Sequence, residues 1–131
     1  MILASIITYG ILFGAILKVS AWDANNPESV KEYAGFVASK EGVNVEKALF
    51  FAKEESGFNR YALRDSVNNP DNPRDDEYSC GIYQINTLVH SMTCEEAYNP
   101  FLNINWAIEQ MAKGNWNLWY NVNQKWLKLT T

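Results

Sequence analysis

One glutamate stands out because it lies on the apolar stripe of a predicted helix. The segment VEKALFFAKEES spans residues 45–56, and its stripe at i, i+3, i+4 and i+7 consists of Ala48, Phe51, Ala52 and Glu55. Burial disfavours the ionised form of a carboxyl group and raises its pKa, so that the group keeps a proton near neutral pH. A general acid that protonates a glycosidic oxygen needs this property. The spacing predicts that Glu55 faces inward and that its neighbour Glu54 faces water.

Other roles for the titratable residues stay open on this pattern. An ion pair with Arg60 or Arg64 would make Glu55 an ordinary structural residue. His90 is the only histidine, and a Ser-His-Asp hydrolase would have to use it, but no Gly-x-Ser-x-Gly elbow accompanies it. We therefore expect His90 to satisfy backbone groups or to border a cleft. One histidine and two cysteines, none at ligand spacing, predict no metal site.

Three short segments extend the pattern around the glutamate. They are ESGFN at 55–59, SCGIYQIN at 79–86, and YNP at 98–100, the last followed shortly by Asn103 and Ile104. Their order and content resemble the soluble lytic transglycosylase family, which has a lysozyme-like fold. The resemblance covers about residues 45–110, which is most of the predicted domain. The sequence departs from the family in a longer loop between Glu55 and Gly81 and in Cys80, where most members have a small residue.

The resemblance implies a role for each matching residue. Glu55 matches the catalytic glutamate. Gly81 and Gln84 match the Gly-x-x-Gln segment that lines the glycan cleft, and a late tyrosine that faces the acid corresponds to Tyr120, with Tyr98 as the alternative. The full set of residues expected at the substrate is Ser56, Ser66, Gly81, Gln84, Tyr98, Asn103 and Tyr120.

The family cleaves the glycan strands of peptidoglycan between MurNAc and GlcNAc and releases a 1,6-anhydro sugar. In such a reaction one carboxyl group serves first as the acid and then as the base, and no cofactor takes part. A lysozyme-type hydrolase is the alternative, and it needs a second acid near the cut bond. The candidates for that acid are Asp65, Asp71, Asp75 and Asp76. A non-catalytic glycan-binding protein of the same fold is a third interpretation.

The elements that must position these residues are mainly helical. Asn26 and Pro27 predict the start of a first helix that stops at Gly42, and Asn44 caps the glutamate helix, which Gly57 ends. A long loop follows over residues 58–79, with a short hairpin as one way to organise it. The apolar segment GIYQIN, residues 81–86, is compatible with either helix or strand.

The C-terminal half predicts two further helices and an aromatic end. Residues 93–96 (TCEE) have the form of a capping box. Asn99 and Pro100 open a helix through Lys113 whose stripe is Phe101, Ile104, Ile108 and Met111. Residues 115–131 are rich in tryptophan and predict a final turn or helix. The expected fold is mainly α, a lysozyme-like α+β arrangement with a long loop or short hairpin after the catalytic helix.

The N-terminus and the cysteines bear on where this domain works. Residues 2–17 are uncharged and apolar, and Val19-Ser20-Ala21 resembles a cleavage site, so residues 1–21 predict a signal peptide, with a membrane anchor as the alternative. Residues 22–131 would then form an exported domain. Cys80 and Cys94 are the only cysteines, and in an exported chain they predict one disulfide; two buried thiols are the alternative.

Length and charge limit the partners. The 131 residues support one domain, and a formal charge of −4 argues against a nucleic-acid partner, which normally selects a basic face. We expect a monomer whose partner is the peptidoglycan strand, with membrane association only if the apolar N-terminus is retained.

Overall fold

The computed structural model describes residues 22–67 and 76–131, and within them the chain is mainly helical with one small sheet. The elements in chain order are α1 (Pro27–Lys40), α2 (Val45–Ser56), β1 (Leu63–Asp65), β2 (Tyr78–Cys80), β3 (Ile85–Asn86), α3 (Cys94–Ala97), α4 (Pro100–Ala112), a 3₁₀ helix (Trp116–Trp119) and α5 (Tyr120–Leu129). The predicted signal or anchor segment lies outside the described residues.

The first two helices begin and end where the capping residues predict. The side chain of Asn26 accepts from the Glu28 amide, and Asn44 does the same for Lys47, at 2.9 and 3.0 Å. Each bond satisfies an amide that has no partner inside its helix. α2 ends at Gly57, whose φ of 63° is left-handed and suits glycine. The end of α2 at Gly57 therefore places Glu55 in the last turn of the helix.

The loop after α2 contains the predicted hairpin. β1 pairs with β2 and β2 with β3, both antiparallel, in the order β1-β2-β3. In this register Arg64 lies opposite Ser79, and Cys80 lies opposite both Leu63 and Ile85. The segment GIYQIN, for which the sequence allowed either helix or strand, forms a turn at residues 81–84 and then the two residues of β3.

Helix α3 has the predicted capping box, since the Thr93 side chain accepts from the Glu96 amide while Glu96 accepts from the Thr93 amide. The disulfide between Cys80 and Cys94 joins β2 to the start of α3 and confirms the predicted pairing. Such a bond is typical of oxidising compartments. It fixes the sheet to the helical part of the molecule.

The predicted apolar stripe of α4 is buried except at one residue. Ile104, Ile108 and Met111 are buried, whereas Phe101 is 45% exposed. Phe101 lies in the first turn of α4, beyond the main core, and its ring stacks on Trp22 with centroids 5.2 Å apart. The prediction that Phe101 faces the core was wrong, because at the start of α4 its ring contacts the outlying rings of Trp22 and Tyr33 and stays half exposed.

The core has two parts that meet at Trp106. The larger joins α1, α2, α4 and the C-terminal segment, and includes Ala48, Phe51 and Trp119. The smaller, under the disulfide, joins Cys80, Ile85 and Ala97, and Trp106 packs against both. The smaller part includes Ile85 of β3, and the Ser56 hydroxyl at the end of α2 donates to the Ile82 carbonyl oxygen just before that strand, so the sheet lies beside the end of α2.

Within residues 22–67 and 76–131, no helix is both long and apolar enough to cross a membrane.

Candidate functional site

A cleft of about 1150 Å³ lies between the end of α2, the hairpin and the C-terminal segment. Glu54 and Glu55 come from α2, and Arg64, Glu77 and Ser79 from the hairpin. The aromatic wall comes from α4 and the C-terminal segment, and it combines Trp106, Trp119 and Tyr120 with the amide side chains of Asn117 and Asn121. Aromatic faces next to amide groups suit a ligand that is apolar on one face and hydroxylated on its edges, as a sugar ring is.

Glu55 is the buried acid of this cleft. It follows Phe51 and Ala52 on the inward stripe of α2, and its side chain is 9% exposed. Burial raises its pKa to about 6; the nearby positive charge of Arg64 opposes that rise, while the negative charges of Glu77 and Glu54 add to it. A carboxyl with a pKa near 6 holds its proton for part of the time near neutral pH, as a general acid requires.

Arg64 connects Glu55 to a second carboxylate. Its Nη1 lies 3.5 Å from Glu55 Oε1 and 3.1 Å from Glu77 Oε2. Ser79 Oγ donates to the same Glu77 oxygen at 2.6 Å. The expected alternative, an ion pair between Glu55 and an arginine, is therefore present only as the longer of two contacts. Arg60 turns away and donates through Nε to the Tyr98 carbonyl oxygen at 3.0 Å.

Gln84 is held at the cleft by the turn that precedes β3. Its Nε2 donates to the carbonyl oxygens of Ala62 and Gly81, at 3.1 and 3.0 Å. Gly81 has a φ of 85°, and a Cβ there would collide with the Ala97 carbonyl oxygen and the Asn103 amide nitrogen. Only glycine fits this turn without moving those groups. Gly81 thus shapes the wall on which Gln84 lies.

Two other predicted residues lie behind the cleft wall. Asn103 is fully buried; its Oδ1 accepts from the Tyr83 amide, and its Nδ2 donates to the Ala97 and Cys80 carbonyl oxygens. The hydroxyl of Ser56 donates to the Ile82 carbonyl oxygen at 2.7 Å. Both side chains tie the turn at 81–84 to the helices, so their contacts in this structure are with the protein.

The aromatic wall contains Tyr120, the predicted late tyrosine. Tyr120 is 60% exposed and lines the same cleft as Glu55. Its neighbour Trp119 is anchored, since Nε1 donates to the Tyr83 carbonyl oxygen at 2.7 Å. His90 also borders the cleft, where its ring meets Trp106 with centroids 4.7 Å apart.

Tyr98 and Ser66 lie elsewhere in the described structure. Tyr98 borders a separate, smaller groove, where its ring contacts that of Tyr61 with centroids 5.6 Å apart. Ser66 follows β1, and its amide donates to the Glu77 carbonyl oxygen at 2.8 Å. Of the seven residues expected at the substrate, the structure therefore brings Gln84 and Tyr120 to the cleft with Glu55.

Sequence reasoning missed Glu77 and Trp106. Glu77 stood at the end of a loop without periodicity, and only the pairing of β1 with β2 brings it beside Arg64. Glu77 and Ser79 are two residues apart, and residues i and i+2 of a strand share a face. This spacing could have indicated that Glu77 lies on the same face as Ser79. Trp106 belongs to a helix in which an aromatic residue indicates core as readily as cleft.

Comparison of the chain with protein-family models, curated protein sequences and solved structures finds no match.

Proposed function

We propose that this chain is a lytic transglycosylase that cleaves peptidoglycan glycan strands, with a lysozyme-like fold and Glu55 as its acid and base. The observation that carries the proposal is a buried carboxyl group with a raised pKa on the wall of an open cleft. It coincides with a sequence whose motifs resemble that family over residues 45–110. A cleft that is lined by aromatic and amide groups together with the acid is consistent with a glycan as the substrate.

In the proposed reaction the protonated Glu55 donates its proton to the glycosidic oxygen as the bond to the anomeric carbon breaks. The N-acetyl group of the muramic acid assists at that carbon. The Glu55 carboxylate then takes the proton of the 6-hydroxyl as its oxygen bonds to the anomeric carbon. No water is consumed, and Glu55 ends protonated. A hydroxyl already held near the carbon has a large advantage in effective concentration over free water.

Lysozyme-type hydrolysis is the second candidate, and Glu77 is the observation that favours it. Glu55 and Glu77 contact the same Arg64 nitrogen, so their contacting oxygens are no farther apart than the sum of 3.5 and 3.1 Å. Paired carboxyl groups of glycosidases lie about 5–9.5 Å apart. Against this candidate, Arg64 and Ser79 both bind Glu77 Oε2, which limits that oxygen as a base for water.

The other acids named for hydrolysis are placed differently. Asp76 lines the cleft, whereas Asp65 lies on β1, and its side chain accepts from the Val67 amide. Asp71 and Asp75 lie outside the described residues. Because Glu77 contacts the same Arg64 nitrogen as Glu55, its removal is the first test of the hydrolytic alternative, and removal of Asp76 is the second.

We also propose that the domain works outside the cytosol, where its substrate lies. The disulfide supports this compartment, and the apolar run at residues 2–17 supplies a route of export.

Digestion of purified peptidoglycan in ¹⁸O-labelled water distinguishes the reactions. Transglycosylation gives 1,6-anhydro-muropeptides without label, because the new bond uses the sugar's own oxygen. Hydrolysis places one ¹⁸O at each new reducing end. Labelled reducing muramic acid as the main product would contradict the proposal, and loss of that product in Glu77→Gln would assign the second carboxylate. Absence of any cleavage by a folded chain would favour the glycan-binding interpretation.

A further inference from the structure

The charged groups of the cleft are arranged unevenly around Glu55. Those that line the cleft with it are Glu54, Arg64, Asp76, Glu77, His90, Tyr120 and Lys125. Glu54 is engaged by Lys125, whose Nζ lies 2.6 Å from Glu54 Oε1. Burial lowers the pKa of His90, which favours its neutral form. In the part of the chain that the structure describes, Arg64 is the positively charged residue that contacts Glu55.

Arg64 is shared between two carboxylates in a particular order. Its nearer contact is with Glu77, at 3.1 Å, and its contact with Glu55 is longer, at 3.5 Å. Glu77 is itself held by the Ser79 hydroxyl, which lies opposite Arg64 in the β1–β2 register. The hairpin therefore fixes the guanidinium beside the acid while directing its shorter bond elsewhere.

This arrangement matters because one carboxyl group must exist in two states within a turnover. A short bidentate pair with arginine would strongly favour the carboxylate and remove the proton that the first step needs. With no cation nearby, the carboxylate formed in a buried site would be strongly disfavoured. An arginine held close but partly engaged by another acid avoids both extremes.

We propose that Arg64 is a positioning residue that stabilises the carboxylate form of Glu55 after proton donation, and that Glu77 and Ser79 restrain it from a full ion pair before donation. The inference rests on the proposed function, because that function gives Glu55 both states. It assigns Glu77 the task of holding Arg64 rather than that of activating water.

The inference predicts that removing Arg64 and removing Glu77 shift the pKa of Glu55 in opposite directions. Arg64→Met removes the cation, so the pKa of Glu55 should rise. Glu77→Gln removes an anion and releases Arg64 toward Glu55, so the pKa should fall. We expect each shift to be about one pH unit, the lower end for a neighbouring charge, because the Arg64 side chain is 49% exposed. Arg64→Lys keeps the charge and should stay nearer the wild-type pKa.

The measurement is an NMR titration of the Glu55 side-chain carboxyl carbon in the full chain, which needs no activity. Glu109→Gln is the matched control, since it removes one negative charge from an exposed pair on α4, away from the cleft. The alkaline limb of the pH–activity profile should move with the pKa, because loss of the Glu55 proton ends general-acid catalysis. It should move to higher pH in Arg64→Met and to lower pH in Glu77→Gln.

Two outcomes would overturn the inference. In one, both variants move the Glu55 pKa in the same direction; in the other, both lower the melting temperature and leave the pKa unchanged, as a merely structural ion pair would. Incorporation of ¹⁸O into the wild-type product would instead contradict the proposed function, while the titration would still decide whether Arg64 and Glu77 act on Glu55 in opposite directions.

Discussion

The two walls that meet at Glu55 are built in different ways. The α2 wall rests on residues that are fully buried, Ala48, Phe51 and Ala52, and its ends are fixed by Asn44 and Gly57. The hairpin wall has three exposed residues in β1, and its contribution to the cleft is a chain of polar contacts from Ser79 through Glu77 to Arg64. The cleft face of one wall therefore rests on apolar packing, whereas that of the other consists of polar contacts on a sheet that the Cys80–Cys94 disulfide fixes to α3.

This difference implies that one wall mainly stabilises the fold and that the other mainly sets the pKa of Glu55. Apolar burial contributes most of the stability of a small domain, whereas exposed ion pairs contribute little. A partly exposed arginine can still change the protonation of a buried neighbour, because the buried group senses its charge directly. We therefore expect substitutions in α2 to affect folding or the proposed reaction itself, and substitutions of the charged hairpin residues Arg64 and Glu77 to affect mainly the pH dependence of that reaction.

The largest effect should come from the acid itself. Glu55→Gln removes the proposed proton donor and should lower the rate of the proposed glycan cleavage by about 10²–10⁴-fold, the usual contribution of a general acid or base. The rate of release of soluble muropeptides measures it. Glu54→Gln, one position along and bound to Lys125, should cost far less. A greater loss in Glu54→Gln would show that the inward residue is not the catalytic one.

The packing of α2 gives the next effect. Phe51 is fully buried against Trp116 and Trp119, so Phe51→Ala should lower the free energy of unfolding by about 3–5 kcal/mol. Leu63→Ala, on the hairpin wall and 48% exposed, should change it by less than about 0.5 kcal/mol. Urea denaturation measures both. Equal losses would mean that the hairpin contributes to the core as much as the helix does.

The smallest effect is a pH dependence of stability. The pKa of Glu55 is about 6 in the folded chain, whereas an unperturbed glutamate has a pKa of 4.5. Between these two pH values the folded state therefore binds more protons than the unfolded state. The stabilising contribution of protonated Glu55 is fully present below about pH 4 and is lost as the pH rises through about 6. The free energy of unfolding of the wild type therefore falls by about 2 kcal/mol over this range. Relative to wild type, Glu55→Gln should therefore become about 2 kcal/mol more stable at pH 7 than at pH 4.

Paired unfolding curves at the two pH values measure this difference. Glu109→Gln serves as the control for removing a carboxylate, because Glu109 is exposed. A constant difference between Glu55→Gln and wild type across this range would mean that the fold does not disfavour the ionised Glu55.

The helical part of the molecule was predictable from local chemistry. Asn44 and Gly57 define α2 because their side chain and backbone act within one turn of the helix, and the capping box at Thr93 works in the same way. The buried stripe that carries Glu55 follows from a period of 3.6 residues. Phe101 shows the limit of this reasoning, since its position on the stripe fitted the core while its location at the helix end left it half exposed.

The hairpin and the cleft required the tertiary structure. Arg64 and Glu77 are separated by a long loop, and no local pattern specifies the register that places Arg64 opposite Ser79. The turn at Gly81 could be named from its motif, but the reason for glycine is the close approach of Ala97 and Asn103, which come from later elements. Contacts between distant segments depend on how whole elements pack.

The sequence by itself determined the helices, the disulfide partners and the residue that could act as an acid, because each depends on neighbours a few positions away or on the only cysteines in the chain. Only the tertiary structure decided which charges surround that acid. The pKa of Glu55 reflects burial by the core and the opposing charges of Arg64 and Glu77, and burial and distance are properties of the folded chain.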